Sequence, residues 1–148
     1  MLFIGSTAYY YSHIQETPIT KRKRFIVFNH KQLEQLADYE FQVLLENLKD
    51  KLLPKHHPDT LLVAKIANQL LHGNKDLTQI YEREWSVSVV DDPSVRNAFV
   101  FPNGQIFVYS GIIRFCDNQQ QLGVILAHEM AHSVLGHSAE LVSYNLNI

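Results

Sequence analysis

Residues 97–137 read NAFVFPNGQIFVYSGIIRFCDNQQQLGVILAHEMAHSVLGH, and the fold turns on them. Asn97 to Phe101 and Gln105 to Tyr109 are two short apolar runs separated by Pro102-Asn103-Gly104. Asn-Gly is the strongest short-range hairpin signal, because tight turns that match strand twist need residues tolerant of positive φ. The two runs are therefore expected to pair antiparallel. Ser110-Gly111 breaks the second strand, and Ile112 to Phe115 is expected as a short helical turn. Asp117 or Asn118 then caps a long helix running from about Gln119 past His137. Its apolar flank is Leu122, Ile125, Leu126, Met130 and Val134.

That helix contains His128, Glu129, Met130, Ala131 and His132, the pattern HEMAH. Residues at i and i+4 stand one turn apart on one helix face, so the two imidazoles can converge on one ion. Zinc accepts such nitrogens at ~2.0–2.1 Å. Zinc brings the pKa of a bound water to ~7, and a carboxylate beside it can take the proton. His128 and His132 are thus expected metal ligands, zinc the cofactor, and Glu129 the catalytic base that later protonates the leaving amine of a cleaved peptide. A metzincin would carry glycine three residues after the second histidine and a third histidine six after it. Leu135 and Ser138 stand there instead, with Gly136 and His137 each one residue out of place. On a continuing helix His137 would sit ~180° from His128 and could not share its ion.

Upstream of the hairpin, Trp85, Val87 and Val89 alternate with Ser86, Ser88 and Val90 and predict a strand, and Asp91-Asp92-Pro93 predicts a turn. An edge strand beside the zinc helix can bind substrate as an added strand. Asn97 to Phe101 is the candidate, with Asn97, Ala98 and Phe99 as substrate-binding residues. Two scaffold helices come earlier. Leu33, Leu36, Ala37, Phe41, Leu44, Leu48 and Leu52 set the first over 30–53, capped by Asn29 and ended by Pro54. Asp59 is expected to cap the second, which buries Leu62, Val63, Ile66, Ala67, Leu70 and Leu71 and ends at Gly73. RFIVF at 24–28 is a further candidate strand. Helices, then a small, mostly antiparallel sheet with a hairpin, then a long helix make an α+β fold.

The composition narrows the class. A chain of 148 residues suits one domain, and a net charge of -2 gives no field that would favour nucleic acid. Cys116 is the one cysteine, which excludes a disulfide scaffold; it is expected to be buried. Of the eight histidines, His13, His30, His56, His57 and His72 are scattered and expected on surfaces or in caps. Met1 to Ile14 is apolar and aromatic without charge, short of the ~20 residues of a spanning helix and without the basic start of a secretory signal. The basic run Lys21 to Arg24 follows it. Residues 1–20 are expected to be a membrane-anchor remnant or an interfacial segment, and 21–148 the N-terminal part of a zinc metallopeptidase domain.

NAFVFPNGQIFVYSGII followed by QLGVILAHEMAHSVLGHSAE resembles the HtpX-like and CAAX-prenyl-protease superfamily of gluzincins. Within it the similarity is greatest to the mitochondrial inner-membrane branch whose activity overlaps with the m-AAA protease. The resemblance covers roughly residues 18 to 143. It implies zinc, endopeptidase activity on polypeptides, membrane association at the mitochondrial inner membrane and a part in protein quality control there. A second copy of the chain is a further expected partner. It also implies a third ligand, a glutamate from a later helix. Glu140 is the acidic residue that follows the motif, and on an unbroken helix it would lie ~12 Å along the axis from His132, too far to close the site. His30, His56, His57 and His72 are weak substitutes. The chain is therefore expected to lack the C-terminal part of the family fold. The alternative is a catalytically inactive, truncated member that acts by binding.

Overall fold

The computed structural model describes residues 14–16, 23–25 and 30–136. Two short strands, β1 (Ile14–Glu16) and β2 (Lys23–Phe25), pair antiparallel. Helix α1 (His30–Leu48) follows, then a 3-10 turn (Lys49–Lys51), α2 (Pro58–Gly73) and the single turn α3 (Thr78–Tyr81). Strands β3 (Ser86–Val90), β4 (Ala98–Val100) and β5 (Gln105–Tyr109) make a sheet in the order β3-β5-β4. Helices α4 (Ser110–Phe115) and α5 (Gln119–Leu135) complete the α+β arrangement. Among the described residues no helix is long and apolar enough to cross a membrane. Most of residues 1–20, assigned above to an anchor or interface, lie outside the described ones, as do residues 26–29 with the Asn29 cap.

The hairpin forms as its turn chemistry dictates. Ala98 faces Val108 and Val100 faces Ile106 in antiparallel register, and Gly104 takes a φ of 88° at the turn. The sheet is not mostly antiparallel, however, because β3 and β5 run parallel through five residue pairs, Ser86–Gln105 to Val90–Tyr109. The loop after β3 carries the chain to the far edge before the hairpin brings β5 back into the centre. Asp92 shapes that loop: the Ser94 hydroxyl donates to Asp92 Oδ1 at 2.6 Å and the Ser94 N–H at 3.2 Å. These bonds, the hydroxyl's first, hold the Asp92 carboxyl below its ordinary pKa despite the opposing effect of burial.

Each face of the sheet has its own packing. Val89, Ala98, Val100, Ile106 and Val108 face Val63, Ile66 and Ala67 of α2 and Leu122, Leu126 and Met130 of α5 in one buried cluster. Alternation sends Phe99 and Phe107 to the other face. There Phe41 of α1 meets Phe107 and Phe101 edge-on at 5.7 and 5.9 Å between ring centres.

Three boundaries differ from the sequence reading. The first helix ends at Leu48, not 53, because the chain beyond it is drawn onto the outer edge of β3. Leu52 bridges to Val90, the Leu53 N–H donates to Val89 O at 2.9 Å, and the Asp91 N–H to Lys51 O at 2.8 Å. His57, not Asp59, caps α2: its Nδ1 accepts the Asp59 N–H at 3.1 Å, with Pro58 at the first helical position, where its missing N–H costs nothing. Gly73 stays inside that helix, and Asn74 caps it.

Candidate metal centre

Helix α5 starts where Asn118 Oδ1 accepts the Gln121 N–H at 2.9 Å, while Gln121 Oε1 accepts the Asp117 N–H at 2.9 Å. The two side chains satisfy amides that the first turn leaves orphaned. Leu122, Leu126, Met130 and Val134 are buried, as the apolar spacing predicts, and Ile125 is half-buried. The helix stops at Leu135, short of the predicted end past His137. Gly136 takes the left-handed conformation at φ 69°, and its N–H donates back to Ser133 O at 3.1 Å and to His132 O. That is a glycine C-cap, which terminates a helix by satisfying its last carbonyls. His137 and Glu140, expected on a continuation of this helix, lie outside the described residues.

On α5 the His128 and His132 Nε2 atoms stand 2.8 Å apart, with ring centres at 4.3 Å and planes at 86°. His128 is exposed, and Glu129 and His132 are half-buried. Leu122, Leu126 and Ser133 mark the side of α5 against the sheet, and Ala127, Met130, Ala131 and Val134 line a cavity of about 350 Å3 together with Leu70, Leu77 and Ile80. The histidines and Glu129 occupy the remaining arc, with Glu129 ~40° around the axis from Ser133. Since α2 packs on the β3 side, this arc opens on the β4 side. Two nitrogen ligands at ~2.0–2.1 Å on a tetrahedral ion lie ~3.3 Å apart, so a small rotation of either ring suits the pair to a metal. As they stand, one neutral imidazole can donate to the other.

Among the described residues no three His, Cys, Asp or Glu side chains gather round one point. Of the weak substitutes, His57 caps α2, His56 and His72 are exposed, and the side chain of His30 lies outside the described residues. Cys116 is half-buried against the core rather than fully inside, and burial, then the Asp117 charge, raises its thiol pKa.

One structural group escaped the sequence reading. The Ser133 hydroxyl, 2% exposed, donates to Phe101 O at 3.1 Å and accepts from Arg83 Nη1 at 2.9 Å. Arg83 lies over the Trp85 ring at 5.8 Å. The bond ties the helix, one residue past His132, to the end of β4. No local pattern could pair residues 50 apart in sequence.

The proposed substrate strand is β4, an edge strand against α5. The Tyr109 N–H donates to Asn97 O at 3.0 Å and the Phe101 N–H to Gln105 O at 2.9 Å. Antiparallel alternation therefore commits the backbone groups of Asn97, Phe99 and Phe101 to β5, and turns those of Ala98 and Val100 to the outer edge. Asn97 Oδ1 accepts the Ala98 N–H at 2.9 Å. Of Asn97, Ala98 and Phe99, only Ala98 presents outward backbone groups, and Val100 joins it.

A mixed sheet backed by a helix with a His-Glu-x-x-His pattern defines the class as the metallopeptidase type of α+β chain. The pattern that defines Peptidase family M48 matches residues 62–148, and the chain belongs to that family. It is 40% identical over 136 residues to "Metalloendopeptidase OMA1, mitochondrial" of Danio rerio, covering 92% of this chain and 28% of that protein. The same-named Homo sapiens protein is 36% identical over 146 residues, covering 94% and 28%. "Mitochondrial metalloendopeptidase OMA1" of Schizosaccharomyces pombe is 34% identical over 145 residues, covering 97% and 41%. The chain thus spans less than half the length of these relatives.

Proposed function

We propose that this chain forms the zinc-binding half of a metalloendopeptidase active site, acting on polypeptide bound in extended form. The observation that carries the reading is the convergence of His128 and His132 Nε2 at 2.8 Å on one helix turn, with Glu129 next to them. These imidazoles would hold the ion, with a third ligand from outside residues 30–136. A bound zinc ion supplies Lewis acidity and an acidified water. Glu129 takes the proton from the attacking water and returns it to the leaving amine. The C-cap at Gly136 and the Ser133 bond to Phe101 keep the histidine turn in register with β4. Outward groups of Ala98 and Val100 align the substrate backbone beside it.

Relatives named as mitochondrial support a mitochondrial setting; the inner membrane, a role in protein quality control and a second copy as a partner are proposed from the sequence resemblance alone. The test is zinc-dependent cleavage of an unfolded polypeptide such as casein. Glu129→Gln should reduce the rate by about 10²–10⁴-fold while zinc content is unchanged. Cleavage that survives Glu129→Gln would overturn the assignment. Casein binding without zinc-dependent cleavage would instead support the inactive, binding alternative.

A further inference from the structure

The edge of β4 adjoins a groove of about 390 Å3 between that strand and α1. Its floor is Phe99 and Phe101, and its wall is Tyr39, Val43 and Leu44, with Glu40 and Asn47 also lining it. Tyr39 and Val43, one helical turn apart, are 68% and 43% exposed, although both are large and apolar in body. Two kinds of contact join the wall to the sheet. Phe41 packs edge-on against Phe101 and Phe107, and Asn103 Nδ2 donates to Asp38 Oδ1 at 2.9 Å.

We infer that this groove selects the substrate side chain: it takes a bulky apolar residue of an extended polypeptide added to β4, at the position opposite Phe99. The inference rests on the proposed addition of substrate to β4. Three features specify the occupant. Outward backbone groups at Ala98 and Val100 require a strand as partner. In a pleated pair, a residue directly opposite Phe99 projects to the same face as Phe99, and so into the groove, while its neighbours project to the α5 face that carries the histidines. The lining then fixes the chemistry. Apolar walls favour an aromatic or branched aliphatic side chain, and the Glu40 carboxylate disfavours an acidic one. The volume falls within the ~300–1,000 Å3 of ligand clefts.

The probe is a fluorescein-tagged seven-residue Ser/Thr peptide with phenylalanine at its centre, compared with the same peptide carrying aspartate there. Binding to the full chain is read by fluorescence anisotropy. A third peptide has backbone N-methyl groups on the residues flanking the centre, which abolish strand pairing. The phenylalanine peptide should bind about tenfold or more tighter than the aspartate peptide, within the range one pocket contact gives. Val43→Asp and, separately, Tyr39→Ser should erase that preference. Both positions are solvent-exposed, so the fold tolerates the changes. If N-methylation blocks binding but both central residues bind alike, or the preference survives both substitutions, strand addition stands and the groove has no selective role. If no peptide binds, or N-methylation has no effect, strand addition fails and the inference falls with it.

Discussion

The two edges of the sheet are finished differently. At the β3 edge the chain covers itself: Lys51, Leu52 and Leu53 lie along Val89 to Asp91 with backbone hydrogen bonds of 2.8 and 2.9 Å. At the β4 edge no described strand pairs with Ala98 or Val100, and Asn97 Oδ1 accepts the Ala98 N–H. Bare strand edges invite other chains, so proteins cover or blunt them. Among the described residues, the sheet covers the edge remote from the histidines and adds no strand to the edge beside them.

The largest expected effect tests the floor that both edges share. Leu126 is wholly buried between α5 and the sheet, so Leu126→Ala should cost about 2–5 kcal/mol in urea unfolding. A loss below about 1 kcal/mol would mean α5 does not carry the sheet. Next is the bond that sets the open edge against the site helix. Ser133→Ala removes a charge-assisted bond from the Arg83 guanidinium and one of the bonds to Phe101 O, which also accepts the Gly104 N–H, and should cost about 1–3 kcal/mol. The smallest of the three lies on the closed side. His57→Ala removes the α2 cap and should cost about 1 kcal/mol, leaving zinc binding untouched. If His57→Ala cost more than Ser133→Ala, the closed side would depend more on its polar contact than the open side does.

Much of this was legible in the sequence, for reasons that are local. The hairpin followed from Asn103-Gly104, and the buried flank of α5 from its spacing. The histidine pair followed from the geometry of i and i+4. What escaped depended on contacts between distant segments. Leu52 fits the helical spacing of α1, yet the edge of β3 takes its backbone. The parallel β3–β5 pairing depends on which way a loop crosses, which alternation does not encode. Helix α5 ends before His137 because Gly136 adopts a left-handed conformation, which the spacing of apolar residues does not encode. On β4 the strand was found, but which residues face outward depended on hydrogen-bond phase. Of the three residues read from sequence, Ala98 has outward backbone groups, as does Val100, while those of Asn97 and Phe99 turn to β5.

The most direct test of the central claim is zinc titration of the full chain beside His128→Ala, His132→Ala and Glu129→Gln. Loss of an outer-sphere partner already weakens metal sites by about 10–100-fold, so loss of a ligand should cost at least about tenfold. The account predicts one zinc per chain, an affinity reduced by that factor or more in each histidine variant, and unchanged binding in Glu129→Gln. Equal zinc affinity in the wild type and in His132→Ala would contradict it.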